Sequence, residues 1–138
     1  MRKALNQYKS VSIESDIDSA SPYRITQLLM EGAIRFLKQA RFAIEKGDFE
    51  KKGYFIAKAE AIVMTLAGSI EREHGPELSD NLIGLYDFVL DQVVSASIDM
   101  DVEKIDVAVR VLSEIKAGWD AIPEEAIHQA EVMRAEKK

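Results

Sequence analysis

A chain of 138 residues that is 47% hydrophobic and 30% charged is long enough to close one globular core without staples, and no stretch of it has transmembrane length. It holds no cysteine, which excludes a disulfide framework, a thiol nucleophile and thiolate metal sites and is compatible with a reducing compartment. Its 18 basic and 24 acidic residues leave a net charge of −6, and the basic ones are spread singly. Nucleic acids and anionic membranes need a concentrated positive field, so a protein or peptide is the expected partner, with no nucleic acid and no membrane insertion.

The opening Met1-Arg2-Lys3 is basic, but Asn6, Gln7 and Lys9 interrupt any apolar h-region, so no secretory signal is expected there. Residues 2–9 make about two helical turns with Ala4, Leu5 and Tyr8 on one side, too short to be stable alone. Residues 10–20 are rich in Ser and Asp and read as a linker. Residues 1–20 therefore form an N-terminal cap segment with its tether. Two uses stay open for it: a shield over an apolar groove until a client displaces it, or a permanent part of the core edge.

Ser21 followed by Pro22 predicts a sharp helix start, since the hydroxyl satisfies an orphan N–H and proline suits the first position. That helix runs to about Lys46, with Gly47 as its left-handed stop. Polar residues recur from Arg24 through Gln27, Glu31, Arg35, Lys38 and Arg41 to Glu45 and draw one solvated stripe. The remaining arc is wide: Ile25, Leu29, Ala33, Phe36, Ala40 and Ala43 form the expected seam, and Leu28, Met30, Ile34, Leu37 and Ile44 broaden it. Such an arc belongs to a central helix or to one that keeps apolar surface for a partner.

Asp48 is the expected cap of a second helix, Phe49 to about Glu73, with Phe55, Ala59, Ile62, Leu66 and Ile70 inward and Gly75-Pro76 breaking the chain. A third helix, Glu77 to about Ala96, carries Leu78, Leu82, Leu85, Tyr86, Val89, Val93 and Ala96 at helical steps. Asp99 is the expected cap of a fourth, which reaches about Ile122 with Ile105, Ala108, Leu112, Ile115 and Trp119 as its seam before Pro123 ends it. The charged stretch 123–138 is expected as a frayed helix or mobile tail. The fold class is all-α: residues 21–122 form an antiparallel up-down-up-down four-helix bundle, with the short N-terminal helical segment as a cap.

Glu71 with His74, and Glu125 with His128, both show the Glu-x-x-His spacing of carboxylate-bridged di-metal bundles. Both pairs sit beside a proline, away from mid-bundle, and Glu31 falls on the solvated stripe, so the surface reading is preferred to the metal one. There is no glycine-rich phosphate loop and no nucleophile elbow. No catalytic, metal or cofactor-binding residue is assigned, and no cofactor is expected. Tyr86 and Trp119 are large and amphipathic, which suits interface anchors as well as core fillers with a polar edge. Met30, Met64 and Met100 read as gap fillers.

The residues Ser21-Pro22-Tyr23-Arg24-Ile25, Leu29-Met30-Glu31-Gly32-Ala33, Phe36-Leu37, Leu82, Leu85-Tyr86-Asp87-Phe88 and Ile115-Lys116-Ala117-Gly118-Trp119, together with the early Tyr8, form a combination that resembles the flagellar export chaperones of the FliS type. The likeness covers about the first 122 residues. Its departures are mild: Tyr23 stands where histidine is common, Phe88 where tyrosine is, and Lys116-Ala117 where a charged pair precedes Gly-Trp. The resemblance implies a non-enzymatic protein of the bacterial cytosol that binds the disordered C-terminal segment of flagellin between helices. It would thereby prevent premature polymerisation and support secretion, with other export or regulatory proteins as further partners; the alternatives are the ferritin-like di-metal bundle and a helical interaction module with another client. The residues expected to meet the client are Leu5, Tyr8, Ile25, Leu28, Leu29, Ile34, Leu82, Leu85, Tyr86, Val89, Leu112 and Trp119.

Overall fold

The structure is a computed structural model that describes residues 21–70 and 76–136. Leu5 and Tyr8, both readings of the N-terminal segment, and the Glu71–His74 pair lie outside the described residues. The first helix, α1, spans Pro22–Lys46, and the Ser21 hydroxyl oxygen accepts the Arg24 backbone N–H at 3.2 Å. At its far end Gly47 takes φ 70°, and the N–H groups of Gly47 and Asp48 donate to the carbonyls of Ile44 and Ala43. A left-handed residue there turns the chain back while closing the last helical carbonyls. Asp48 then caps α2, Phe49–Gly68, by accepting from Lys51 N–H at 3.1 Å.

α2 stops before the expected Glu73 because Ser69 closes it. The Ser69 N–H donates to the Thr65 and Leu66 carbonyls and its hydroxyl to the Leu66 carbonyl at 2.9 Å, a local bonding pattern that competes with another helical turn. α3 spans Pro76–Asp99 and α4 spans Val102–Asp120. Asp101, and not the expected Asp99, caps α4, accepting from Glu103 N–H at 3.0 Å. Met100 supplies the reversal at φ 55°, so Asp99 remains the last residue of α3, where its carboxylate accepts from Lys104 at 2.7 Å. Beyond Pro123, where a frayed helix or mobile tail was expected, α5 spans Glu124–Glu136. Glu124 and Glu125 in its first turn suit the positive end of the helix dipole.

Within the bundle α1 packs on α2 and α4, and α3 packs on the same two. Neighbours run antiparallel: Tyr23 at the start of α1 meets Trp119 at the end of α4, and Arg41 near the end of α1 donates to Asp106 near the start of α4 at 2.7 Å. Likewise Lys52 early in α2 donates to the Ser97 carbonyl late in α3 at 3.2 Å. This is the all-α up-down-up-down bundle that the four amphipathic runs imply.

The core is aliphatic, built from Met30, Leu37, Ile56, Val63, Leu66, Val89, Val93, Ile105 and Leu112 around Tyr86, with alanines between them. Burying each such side chain stabilises the fold by roughly 1.5–3 kcal/mol. On α1 the deepest large side chains are Met30 and Leu37, while Ile25, Leu29 and Phe36 of the expected seam are half-buried. Two expectations fail outright. Met64 is 62% exposed and fills no gap, and Leu78 is 71% exposed while its neighbour Ser79 is buried, so in the first turn of α3 it is the Ser79 side that faces inward. α1 and α2 approach closely at Gly32, where a Cβ would lie 3.4 Å from Ile62 Cδ1.

Candidate binding groove

At the pole where α1 and α3 begin and α2 and α4 end, the helices do not fill the space between them, and an apolar groove of about 730 Å³ opens. Ile25 and Leu29 from the first turns of α1 form one wall, and Leu78 and Leu82 from α3 another. Leu66 and Ile70 close the side toward α2, and Ala126, Ile127 and Ala130 of α5 line the remaining edge. No residue of α5 is buried. The lining is mainly apolar, with Glu131 and Arg134 of α5 among its polar members, which suits an apolar face of a peptide.

The wall between α1 and α4 is fastened by polar bonds as well as packing. The Trp119 ring stacks on Tyr23 with centroids 5.4 Å apart and an interplanar angle of 14°. Trp119 Nε1–H donates to the Tyr23 carbonyl and the Tyr23 hydroxyl donates to the Trp119 carbonyl, each at 3.1 Å. Gln27 ties the same seam, its side-chain amide donating to Asp120 at 2.7 Å and to the Tyr23 hydroxyl oxygen at 3.1 Å. Lys116 donates to Asp120 at 2.6 Å, and these hydrogen bonds from Lys116 and Gln27 hold the Asp120 carboxyl below its ordinary pKa. At the base of the groove Tyr86 is 2% exposed, and burial pushes its phenol up to about 12.

Of the residues expected to meet a client, the groove brings together Ile25, Leu29 and Leu82, with Tyr86 at its base and Trp119 at its rim. Leu28 is half-buried outside this lining, Leu85 is 43% exposed on α3, and Ile34 lines a different groove. Val89 and Leu112 are fully buried and Tyr86 nearly so. In this arrangement of the helices Val89 and Leu112 offer a client no surface, because their side of each helix faces the bundle axis. The expectation also passed over Ile70, Leu78 and Ile127. A helical pattern marks Ile70 and Leu78 only as apolar, and nothing local says that they fall where two helices end.

Glu31 is half-buried on the α1–α4 seam, with Arg24 at 3.6 Å and Lys116 at 3.8 Å. Glu125 and His128 are both exposed on α5, and among the described residues no group of three or more His, Asp or Glu side chains converges as metal ligands do. No helix is long and apolar enough to cross a membrane among the described residues.

The family model described as flagellar protein FliS matches residues 4–126. The chain belongs to the FliS family. The flagellar secretion chaperone FliS of Vibrio cholerae is 38% identical over 125 residues, covering 91% of this chain and 92% of its own. The flagellar secretion chaperone FliSB of Pseudomonas aeruginosa is 40% identical over 120 residues, covering 87% of this chain and 95% of its own. A solved structure of a flagellar chaperone from bacteria superposes with a TM-score of 0.68 at 23% identity, over 83% of this chain and 93% of that one, which shows the shared fold. FliS-family membership agrees with the resemblance carried by the Ser21-Pro22 start, Leu85-Tyr86-Asp87-Phe88 and Gly118-Trp119.

Proposed function

We propose that this FliS-family protein is a cytosolic export chaperone that holds the disordered C-terminal segment of flagellin, delaying its polymerisation until secretion. The observation that carries the reading is the apolar pole groove, in which Ile25, Leu29 and Leu82 face one space. A disordered client folds as it binds, so the surface it covers must offset its ordering entropy, and apolar walls do this without demanding one exact polar geometry. Trp119 at the rim, held by its bonds to Tyr23, supplies a rigid edge for the client backbone. Leu28, Ile34 and Leu85, which lie outside the groove lining, and Leu5 and Tyr8 belong to the same proposed contact set. Tyr86, Val89 and Leu112 hold the helices that shape the groove. The protein acts by binding, with no cofactor or reaction.

Calorimetric titration of the full chain with a synthetic C-terminal segment of flagellin tests this. The parent binds, and Ile25→Glu and Leu82→Glu, which place a charge on the groove walls, each weaken binding by at least about tenfold, or 1.4 kcal/mol. Circular dichroism shows whether these variants keep the bundle. Absence of binding by the parent, or undiminished binding by both folded variants, overturns the reading.

A further inference from the structure

A second groove, of about 870 Å³, runs along α1 from Glu31 toward the Gly47 turn. Ile34, Phe42 and Phe55 give it an apolar floor. Ile34 and Phe55 lean on the core, but Phe42 is 63% exposed, a cost in hydration that a docked partner removes. Seven charged residues line this groove, five basic and two acidic, on a chain whose net charge is −6. Lys51 has Asp48 at 4.0 Å, and Lys116 has Asp120 at 2.6 Å and Glu31 at 3.8 Å.

Arg35, Lys38 and Lys46 have no carboxylate partner among the described residues. The Arg35 guanidinium instead lies 5.8 Å from the Phe36 ring centroid and the Lys46 ammonium 5.4 Å from that of Phe42. Rings steady these charges without neutralising them. Arg35, Lys38, Phe42 and Lys46 follow one another at steps of three and four residues, so they share one face of α1 over about 16 Å, the length of three helical turns.

We propose that this groove docks an acidic amphipathic helix of a partner protein. Its apolar residues at helical spacing cover Phe42, Ile34 and Phe55, and its flanking carboxylates pair with Arg35, Lys38 and Lys46. The apolar floor is recessed between charged side chains, a shape that a discrete helix enters and a broad anionic membrane surface does not, so it favours a peptide. The inference does not rest on the flagellin reading, because none of its residues lines the pole groove.

Fluorescence anisotropy with the full chain tests it, using a panel of synthetic helices of about 18 residues, long enough to hold helical structure when capped. Each carries leucine or phenylalanine anchors at helical spacing and glutamates beside them, and each has a counterpart with glutamine for every glutamate. The acidic members bind at least about tenfold more tightly than their counterparts, and added salt weakens them. The triple variant R35E/K38E/K46E loses this preference, and Phe42→Ser weakens binding by about tenfold. The affected residues lie on the surface of α1, and circular dichroism checks that each variant keeps its helices. Equal binding of the acidic and glutamine helices, or a triple variant that binds as the parent does, overturns the proposal. So does sedimentation of the protein with phosphatidylglycerol vesicles while no acidic helix binds, or sedimentation equilibrium showing that Phe42→Ser only abolishes a homodimer.

Discussion

Trp119 does two jobs that separate substitutions can divide. Its ring covers Tyr23, and its indole N–H satisfies the Tyr23 carbonyl. Trp119→Phe keeps an aromatic face and loses the hydrogen bond, for an expected loss of about 1 kcal/mol. Trp119→Ala also removes the packing, for an expected loss of about 3 kcal/mol, the lower end for a large aromatic because the residue is half-buried. Urea denaturation of the two variants measures both steps, and equal losses would mean that the hydrogen bond carries the whole contribution. Tyr86 makes a different prediction, in pH. Its folded-state pKa of about 12 lies above the ordinary 10.0, so the native state holds the phenol proton where the unfolded chain releases it. The stabilisation is complete below pH 10 and is lost as pH rises toward 12, by about 2–3 kcal/mol across that window. Stability measured from pH 9 to 12 therefore falls more steeply in the parent than in Tyr86→Phe, and parallel curves would refute it. Sequence marked both residues as large and amphipathic; only their surroundings separate Tyr86 at the core from Trp119 at a fastened rim.

At the scale of elements, two hairpin turns use the left-handed conformation with different residues. Gly47 adopts φ 70° without a Cβ to strain, whereas Met100 adopts φ 55° with one. Nothing lies within 4 Å of a Cβ built on Gly47, so Gly47→Ala meets no clash and its expected loss of about 1 kcal/mol is purely a backbone effect. Met100→Gly releases the same strain and is expected to stabilise by about 0.5–1 kcal/mol, less whatever the Met100 sulfur contributes by accepting from Lys52 Nζ at 3.4 Å. Thermal melts of the two variants should move in opposite directions, and a shared sign would mean that side-chain contacts outweigh backbone strain at one turn. The first turn was readable in sequence, since Gly47-Asp48 carries both the stop and the next cap. The second was not. Asp99 and Asp101 are equally good capping residues, and the choice between them depends on which neighbour of Met100 takes extended backbone.

For the whole molecule, the four helices share one core, so a cavity made on one of them should weaken all. Leu112 is fully buried, and Leu112→Ala is expected to cost about 2–5 kcal/mol. Urea unfolding followed by both helical signal and Trp119 fluorescence should shift by the same amount in this variant, as a single cooperative transition does. A shift confined to one probe would show that the half of the bundle near Trp119 unfolds separately.

Local chemistry was enough for the parts of this protein that depend on neighbours in the chain. Ser21-Pro22 and Gly47-Asp48 bound helices through hydrogen bonds a few residues long, and steps of three and four residues established four amphipathic runs whose short connections favour antiparallel packing. What lies across the bundle was decided only by tertiary structure. The apolar arc of α1 is wider than a single interface, so periodicity alone could not say that Met30 and Leu37 would go inward while Ile25 and Leu29 stayed at a groove. Basic residues spread singly along the sequence were gathered on one face beside Phe42, and Arg35, Lys38 and Lys46 keep their charge unpaired because the fold brings no carboxylate of the described residues to them. Caps and periods act within a turn or two of helix, whereas burial, groove shape and charge pairing are set by residues tens of positions apart.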